Sequence, residues 1–379
     1  MSEVLVFIDW YLPGFKAGGP VTSCANMIDA LRDEVSFKVV TGNRDYCAKE
    51  SYSGVDFDQW VTRRPNEDVM YISDEKQTYR HIRKIISETS CDTVYINGIY
   101  SRKFSIYPIL ALRSLRLNEH VIVASRGMLS KSAIGVKRLR KSVFLQLAKW
   151  FGWYHNVVFH ATNQKEKEDI LREVNKDQKV YVASNFPRKA GNRVNPISKQ
   201  VGRLKMISIA RIAPEKNLIF LLKALKDVKS EVQFDIYGSV YNQAYWDSCR
   251  EVISHLPGNI NVEHKGFAKP TEVQRIIQDC HVLALPSLGE NYGHVIAESL
   301  IAGRPVLISD QTPWRGLRGI KAGMVLPLDI GKFSDAIEEW ANMDESDFAE
   351  WLQGAFERGS EIANDPKPRR DHLAMFRNE

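Results

Sequence analysis

The chain has 379 residues, 44% hydrophobic and 26% charged, a balance that excludes a disordered protein and predicts about two globular domains. Lysine and arginine number 52 against 46 aspartates and glutamates. The resulting net charge of +6 suits anionic ligands but is too diffuse for a nucleic-acid binder. Cys24, Cys47, Cys91, Cys249 and Cys280 are scattered without metal-ligand spacing, which points to reduced thiols rather than a disulfide framework. The opening residues carry no basic leader, and no stretch approaches the ~20 apolar residues of a membrane span, so a cytoplasmic protein is expected.

Short apolar runs alternate with amphipathic segments along the chain. Strands are predicted at Val4–Phe7, Phe37–Val40, Thr93–Ile96, His120–Ala124 and Asn156–Phe159. A second series follows at Met206–Ile209, Val232–Ile236, Asn261–Glu263, His281–Leu285 and Pro305–Ile308. Helices are predicted between them at Val21–Leu31, Gln77–Ser87, Asn217–Leu225, Pro270–Gln278 and His294–Ala302. Such alternation implies α/β architecture with parallel sheets covered on both faces. The polar stretch Arg188–Gly202 reads as an interdomain linker, dividing the chain into 1–190 and 191–364. The tail 365–379 either docks on a domain or frays.

The first loop, Asp9–Pro20, follows a strand and precedes a helix. It fits neither of the two glycine fingerprints of ATP and NAD sites. Asp56-Phe-Asp58 lies in a polar stretch and is not read as a metal site. Arg126 ends the strand Val121–Ala124, and His160 ends the next and reads as a satisfied strand-end histidine. Residues 131–153 form a basic amphipathic segment: Lys137, Arg138, Arg140, Lys141 and Lys149 mix with Leu139, Val143, Phe144, Leu147, Trp150 and Phe151. Two readings lead for it, a helix lying on an anionic membrane and a core-packed helix with a solvated basic face; nucleic-acid binding is a third, with no recognised module beside the patch to favour it.

Further along, Met206–Leu218 is a strand entering a helix with Arg211 and Lys216 in the turn, where two cations suit a diphosphate. The most informative segment is Ala284–Val306, read as strand, loop, helix, turn, strand. Its loop carries Glu290, Asn291, Tyr292 and Gly293, and Glu298 follows in the helix. Free backbone N–H groups and the dipole at that helix start favour a phosphate, and Gly293 permits close approach. An ionised carboxylate accepts two hydroxyl protons, as a vicinal diol presents them. Glu298 therefore suits a ribose and Glu290 the transferred sugar.

Glu290-x7-Glu298, with Gly293 inside it and Ala-Gly-Arg-Pro-Val behind it, resembles the signature of the retaining glycosyltransferases of family 4, which have the GT-B fold. Arg211 and Lys216 fall on the basic positions of that family's donor-phosphate element. The resemblance implies two Rossmann-like domains with sheets facing across a cleft, the N-terminal one binding acceptor and the C-terminal one donor. It implies that Glu290, Arg211 and Lys216 carry catalysis. Gly238, at the end of a strand, resembles a position near the donor nucleotide, and His264-Lys-Gly-Phe267 resembles the segment that contacts the base. The loop Asp310–Gly316 is similar to one in polysaccharide-assembling members. Gly18 and Gly19 resemble the glycine pair that approaches donor phosphate or acceptor, and Arg126-Gly-Met-Leu129 stands where many members have a histidine. Arg126 is then expected to meet an anionic group.

The resulting expectation is hexose transfer, with retention and without metal or cofactor, from a nucleoside diphosphate sugar to a hydroxyl of a lipid-linked glycan. Uridine is favoured over guanosine, and the setting is bacterial cell-surface polysaccharide or lipopolysaccharide assembly. Two alternatives are a sugar-nucleotide 2-epimerase of similar fold and a non-catalytic membrane-peripheral scaffold.

Overall fold

The computed structural model describes residues 1–116, 120–130, 138–188 and 197–379. The chain forms two compact units. The first comprises Met1–Phe186 with Pro366–Glu379, the second Pro187–Asp365.

The first unit holds strands β1 (Ser2–Phe7), β2 (Val35–Gly42), β3 (Trp60–Arg64), β4 (Glu67–Ile72), β5 (Thr93–Asn97), β6 (His120–Ala124), β7 (Val158–Ala161) and β8 (Val180–Val182). They lie in the order β3-β4-β2-β1-β5-β6-β7-β8. All neighbours pair in parallel except β3 with β4, an antiparallel edge hairpin turning at Asn66, whose φ is +60°. The sequence reading missed both strands: β3 is polar and half exposed, and β4, though buried, carries Glu67 and Asp68 ahead of its short apolar run. Helices α1 (Gly19–Leu31), α2 (Tyr79–Glu88), α3 (Tyr107–Leu115), α4 (Arg138–Trp150) and α5 (Gln164–Glu173) connect the strands. Alternate residues of one strand serve opposite faces. Leu5 and Phe7 pack with Ile82, Ile85 and Ile109, whereas Val4 and Val6 pack with Cys24, Met27 and Ile28. That double burial is why these strands read as continuous apolar runs.

The second unit holds β9 (Arg203–Ile209), β10 (Glu231–Tyr237), β11 (Ile260–His264), β12 (Val282–Leu285), β13 (Val306–Ser309) and β14 (Gly323–Leu326), in the order β11-β10-β9-β12-β13-β14. Every pairing is parallel. Its helices are α6 (Leu218–Ala224), α7 (Gln243–Ser254), α8 (Val273–Gln278), α9 (His294–Ile301), α10 (Ile330–Ala341) and α11 (Glu345–Asn364). Arg304 is fully buried in the turn between α9 and β13. Its guanidinium donates to the carbonyls of Gln278 and Cys280, which fastens α8 to that turn.

A last helix, α12 (Lys367–Arg377), returns to the first unit. Met375 and Phe376 are buried there beside Phe37 and Tyr95, and Arg369 pairs with Glu34 at 2.5 Å. The division between units falls at Phe186 and Pro187. That is just ahead of the segment read as the linker, of which residues 189–196 lie outside the described residues.

Candidate donor site

In the second sheet the chain passes from β9 to β10 on one side, then returns to β12 on the other. The loops leaving β9 and β12 therefore diverge and open a crevice at their carboxyl ends, the usual ligand position in such sheets. The β9 loop carries Arg211, a short 3₁₀ turn Pro214–Lys216, and Asn217 at φ +56°. The β12 loop runs from Pro286 to Gly293. The backbone N–H of Leu288 donates to the Glu215 carbonyl at 2.9 Å, tying the two loops together.

This tie brings Lys216 to Glu290, with Nζ 2.5 Å from Oε1. The same oxygen accepts from Ser287 Oγ at 2.7 Å. The side chains keep 20% and 12% exposure, so the pair is sheltered yet reachable. Arg211 sits nearby, 3.4 Å from Glu215 and with its guanidinium 5.1 Å from the centre of the Tyr241 ring. The arrangement places cationic donors and a carboxylate at one crevice, which suits a ligand with both phosphate and hydroxyl groups.

Gly293 caps α9 with φ +79° and makes no side-chain cap bond. A Cβ there would crowd only the mobile tip of Ile296, so it is the left-handed conformation that favours glycine. Trp314 braces the loop by donating from Nε1 to the Tyr292 carbonyl at 2.7 Å. The Glu290 N–H donates to the Gln311 carbonyl at 3.4 Å. The Asp310–Gly316 loop, whose chemistry was unassigned from sequence, thus supports the β12 loop. Burial pushes the Tyr292 hydroxyl pKa up, and the Glu298 charge adds to that, keeping it protonated.

Glu298 lies on α9 and is 15% exposed, and Arg188 Nε approaches its carboxylate to 3.8 Å. Burial raises its pKa, while Arg188 draws it down. Gly238, at the end of β10, leaves no room for a side chain, because a Cβ would lie 1.8 Å from the Ala210 carbonyl oxygen. Its N–H donates to the Gly266 carbonyl, and His264 Nε2 meets its carbonyl at 2.9 Å. Phe267, just beyond, is 43% exposed.

The remaining predicted residues lie in the first unit. Gly18 has φ +71° and caps α1, and Gly19 begins that helix. No atom lies within 4 Å of a Cβ at either position. Arg126 is turned inward. Its Nε donates to Asn97 at 2.6 Å and its terminal nitrogens to Asn185 and Tyr95, both at 2.8 Å. Tyr95 in turn meets His160 Nδ1 at 2.7 Å, and His160 Nε2 meets the Ala183 carbonyl at 2.8 Å. Burial holds His160 neutral, as a strand-end histidine should be. Asp58, read as outside any metal site, accepts from the Ser73 N–H and pairs with Lys76 at 3.3 Å. Among the described residues no group of three or more His, Cys, Asp and Glu side chains has metal-binding arrangement.

Sequence reasoning missed Ser287, Trp314 and Arg188. Ser287 stands three residues before Glu290 and was within reach of a local reading. The other two meet the site only through tertiary folding.

Residues 193–346, within the second unit, match the family described as glycosyl transferases group 1. Several solved structures share the fold of the whole chain. Alr3699/HepE from Anabaena, solved with UDP and glucose, is 16% identical over all of both chains, with a TM-score of 0.71. Sucrose-phosphate synthase from Thermosynechococcus elongatus is 14% identical over 100% of this chain and 99% of its own, with a TM-score of 0.70. A glycosyltransferase from Rickettsia africae is 12% identical over 100% and 98%, also with a TM-score of 0.70. No curated protein sequence matches the chain. The likeness establishes the fold as GT-B, with two Rossmann-like domains.

Proposed function

We propose that this protein is a retaining glycosyltransferase that moves a hexose from a uridine diphosphate sugar to a hydroxyl of a lipid-linked glycan. The observation that carries the reading is the meeting of Lys216, Ser287 and Glu290 at the β9–β12 crevice. That meeting sits beside a glycine-capped helix bearing Glu298. HepE of the same fold was solved with UDP-glucose, which favours uridine.

In this reading Glu298 takes the ribose diol, and the backbone around Gly238 and Phe267 lies beside the base. Lys216, Arg211 and the α9 N-terminus stabilise the departing diphosphate, so charge neutralisation rests on fixed protein dipoles and cations. Glu290, with Asn291 and Tyr292 on its loop, binds the hexose hydroxyls, and Gly18 and Gly19 admit the donor phosphate or acceptor. Arg126 secures the strand ends behind that glycine loop, with any anion contact limited to its uncommitted N–H groups. The acceptor oxygen attacks the anomeric carbon from the leaving-group side. The bond to the diphosphate oxygen breaks, and a phosphate oxygen takes the acceptor proton.

A lipid-linked acceptor agrees with α4. Leu145 and Ala148 pack inward, whereas Leu139 (79% exposed), Val143, Leu147, Trp150 (81%) and Phe151 stand in solvent along one face. No acidic residue occurs between His120 and Lys165, so the local field is positive. Both features suit the anionic cytoplasmic face of a membrane and a role in surface polysaccharide assembly.

The test is turnover of uridine and guanosine diphosphate sugars, with and without EDTA, by the wild type and Glu298→Ala. Slow nucleotide release from one uridine donor, insensitive to EDTA and lost in the variant, is expected. Absence of release and of binding for every donor would sink the reading.

A further inference from the structure

Glu298 can accept from both hydroxyls of a diol, one at each oxygen, only as the ionised carboxylate. Both carboxylate oxygens must be free of protons to take two hydroxyl hydrogens. Yet the residue is sheltered, and burial disfavours its charge. Among the described residues the groups around it are few. Tyr292, from the preceding loop, faces it as a neutral phenol, with Arg358 and Asp365 from the far end of α11 acting on that phenol. His294 precedes it on α9 itself. The cation that pairs with its carboxylate is Arg188, Nε to Oε1 at 3.8 Å.

Arg188 is the second residue of the second unit, where the chain has just left the first. Its own position is fixed, because NH1 donates to the Pro270 carbonyl at 2.5 Å. A guanidinium held at one end by a backbone carbonyl presents its remaining face to Glu298 in a set orientation. Among the described residues its side chain, about one-third exposed, makes these two polar contacts.

We infer that Arg188 is a positioning residue for the nucleotide: it holds Glu298 ionised and aimed, so that the carboxylate meets the ribose diol. This rests on the transferase reading of the donor site. It predicts a pH-dependent contribution, small where a carboxylate is ionised unaided and growing as pH falls. Removing the cation leaves burial unopposed and moves the Glu298 carboxyl further up, so the loss of affinity is greatest at acid pH.

The experiment is calorimetric titration of UDP into the full chain from about pH 5 to about pH 8, for wild type, Arg188→Ala, Arg188→Lys, Glu298→Gln and the double variant Arg188→Ala/Glu298→Gln. Arg188→Ala should weaken UDP binding by about tenfold at the acid end and less at the alkaline end. Arg188→Lys should recover most of it, and Arg188→Ala should add nothing to Glu298→Gln. Wild-type affinity and pH profile in Arg188→Ala, or full additivity in the double variant, would overturn the inference while leaving the transferase reading intact. Wild type that binds neither UDP nor GDP would remove both. If Arg188→Ala fails to fold, Arg188→Lys and Arg188→Gln provide the comparison of charged against neutral, and equal affinity for those two overturns the inference.

Discussion

Lys216 and Glu290 have low exposure and share one short contact, so removing either leaves a sheltered charge without its partner. Lys216→Ala should lower kcat for donor turnover about a hundredfold or more, as for loss of one group stabilising leaving-group charge. A smaller change confined to KM would instead assign Lys216 to ground-state binding. Two glycines predict opposite outcomes. Gly238→Ala forces a Cβ onto the Ala210 carbonyl and should cost about 1–3 kcal/mol of stability, read as a lower Tm. Gly19→Ala meets no atom, so Tm should hold or rise slightly while donor turnover falls. Unchanged turnover would free Gly19 from the donor site. Arg211, Lys216, Glu290 and Glu298 were legible in the sequence because each sits in a short motif, whereas Arg188 was not, since it meets Glu298 only through the fold. The close packing at Gly238 was not legible, since its neighbour Ala210 lies just beyond the end of β9, far away in sequence.

At the scale of elements, α4 shows how the same heptad-like spacing can serve two faces. Leu145 and Ala148 satisfy the core, and the apolar side chains left over point outward. Trp150→Glu with Leu147→Glu should therefore leave stability within about 0.5 kcal/mol, as for exposed positions. The same pair should abolish flotation with vesicles rich in anionic lipid. Retained flotation would remove the membrane reading of this helix. Both leading readings of residues 131–153 were open in the sequence, because periodicity identifies an apolar stripe without saying what covers it. Of that segment, 131–137 lie outside the described residues. Most strands buried on both faces were legible; β3 was not, since its polar, half-exposed pattern resembles a loop, and β4 was not, since Glu67 and Asp68 open its short apolar run.

Across the molecule, buried histidines couple both units to pH. Burial pushes His372 of α12 down to about 4, and the same cause pushes His281 of the second unit down to about 4. Both are neutral in the fold, whereas unfolded histidine titrates near 6.5. The unfolded chain therefore binds more protons between those values. Stability is fully present above pH 6.5 and is lost as pH falls towards 4. Thermal melts across that window should show Tm falling with acid, and a flat Tm would contradict the neutral, buried assignment. Deleting the segment from Pro366 onward removes His372 together with Met375 and Phe376 from the first core. Each large apolar side chain contributes about 1.5–3 kcal/mol, so the truncated chain should melt well below the full one.

The sequence alone determined the alternation of strands and helices and the two halves. It also marked the loop bearing Glu290 and Gly293 and the helix bearing Glu298, because periodicity and short motifs are written within a few turns of chain. Tertiary structure decided what those residues meet. The switch in strand order at β9 set Lys216 against Glu290, 74 residues apart. The side-by-side ends of β5 and β6 and the chain beyond β8 turned Arg126 inward onto Asn97 and Asn185, and the return of the last helix placed His372 beside His160. Such pairings depend on which strand lies next to which, and that follows from packing whole sheets rather than from any local pattern.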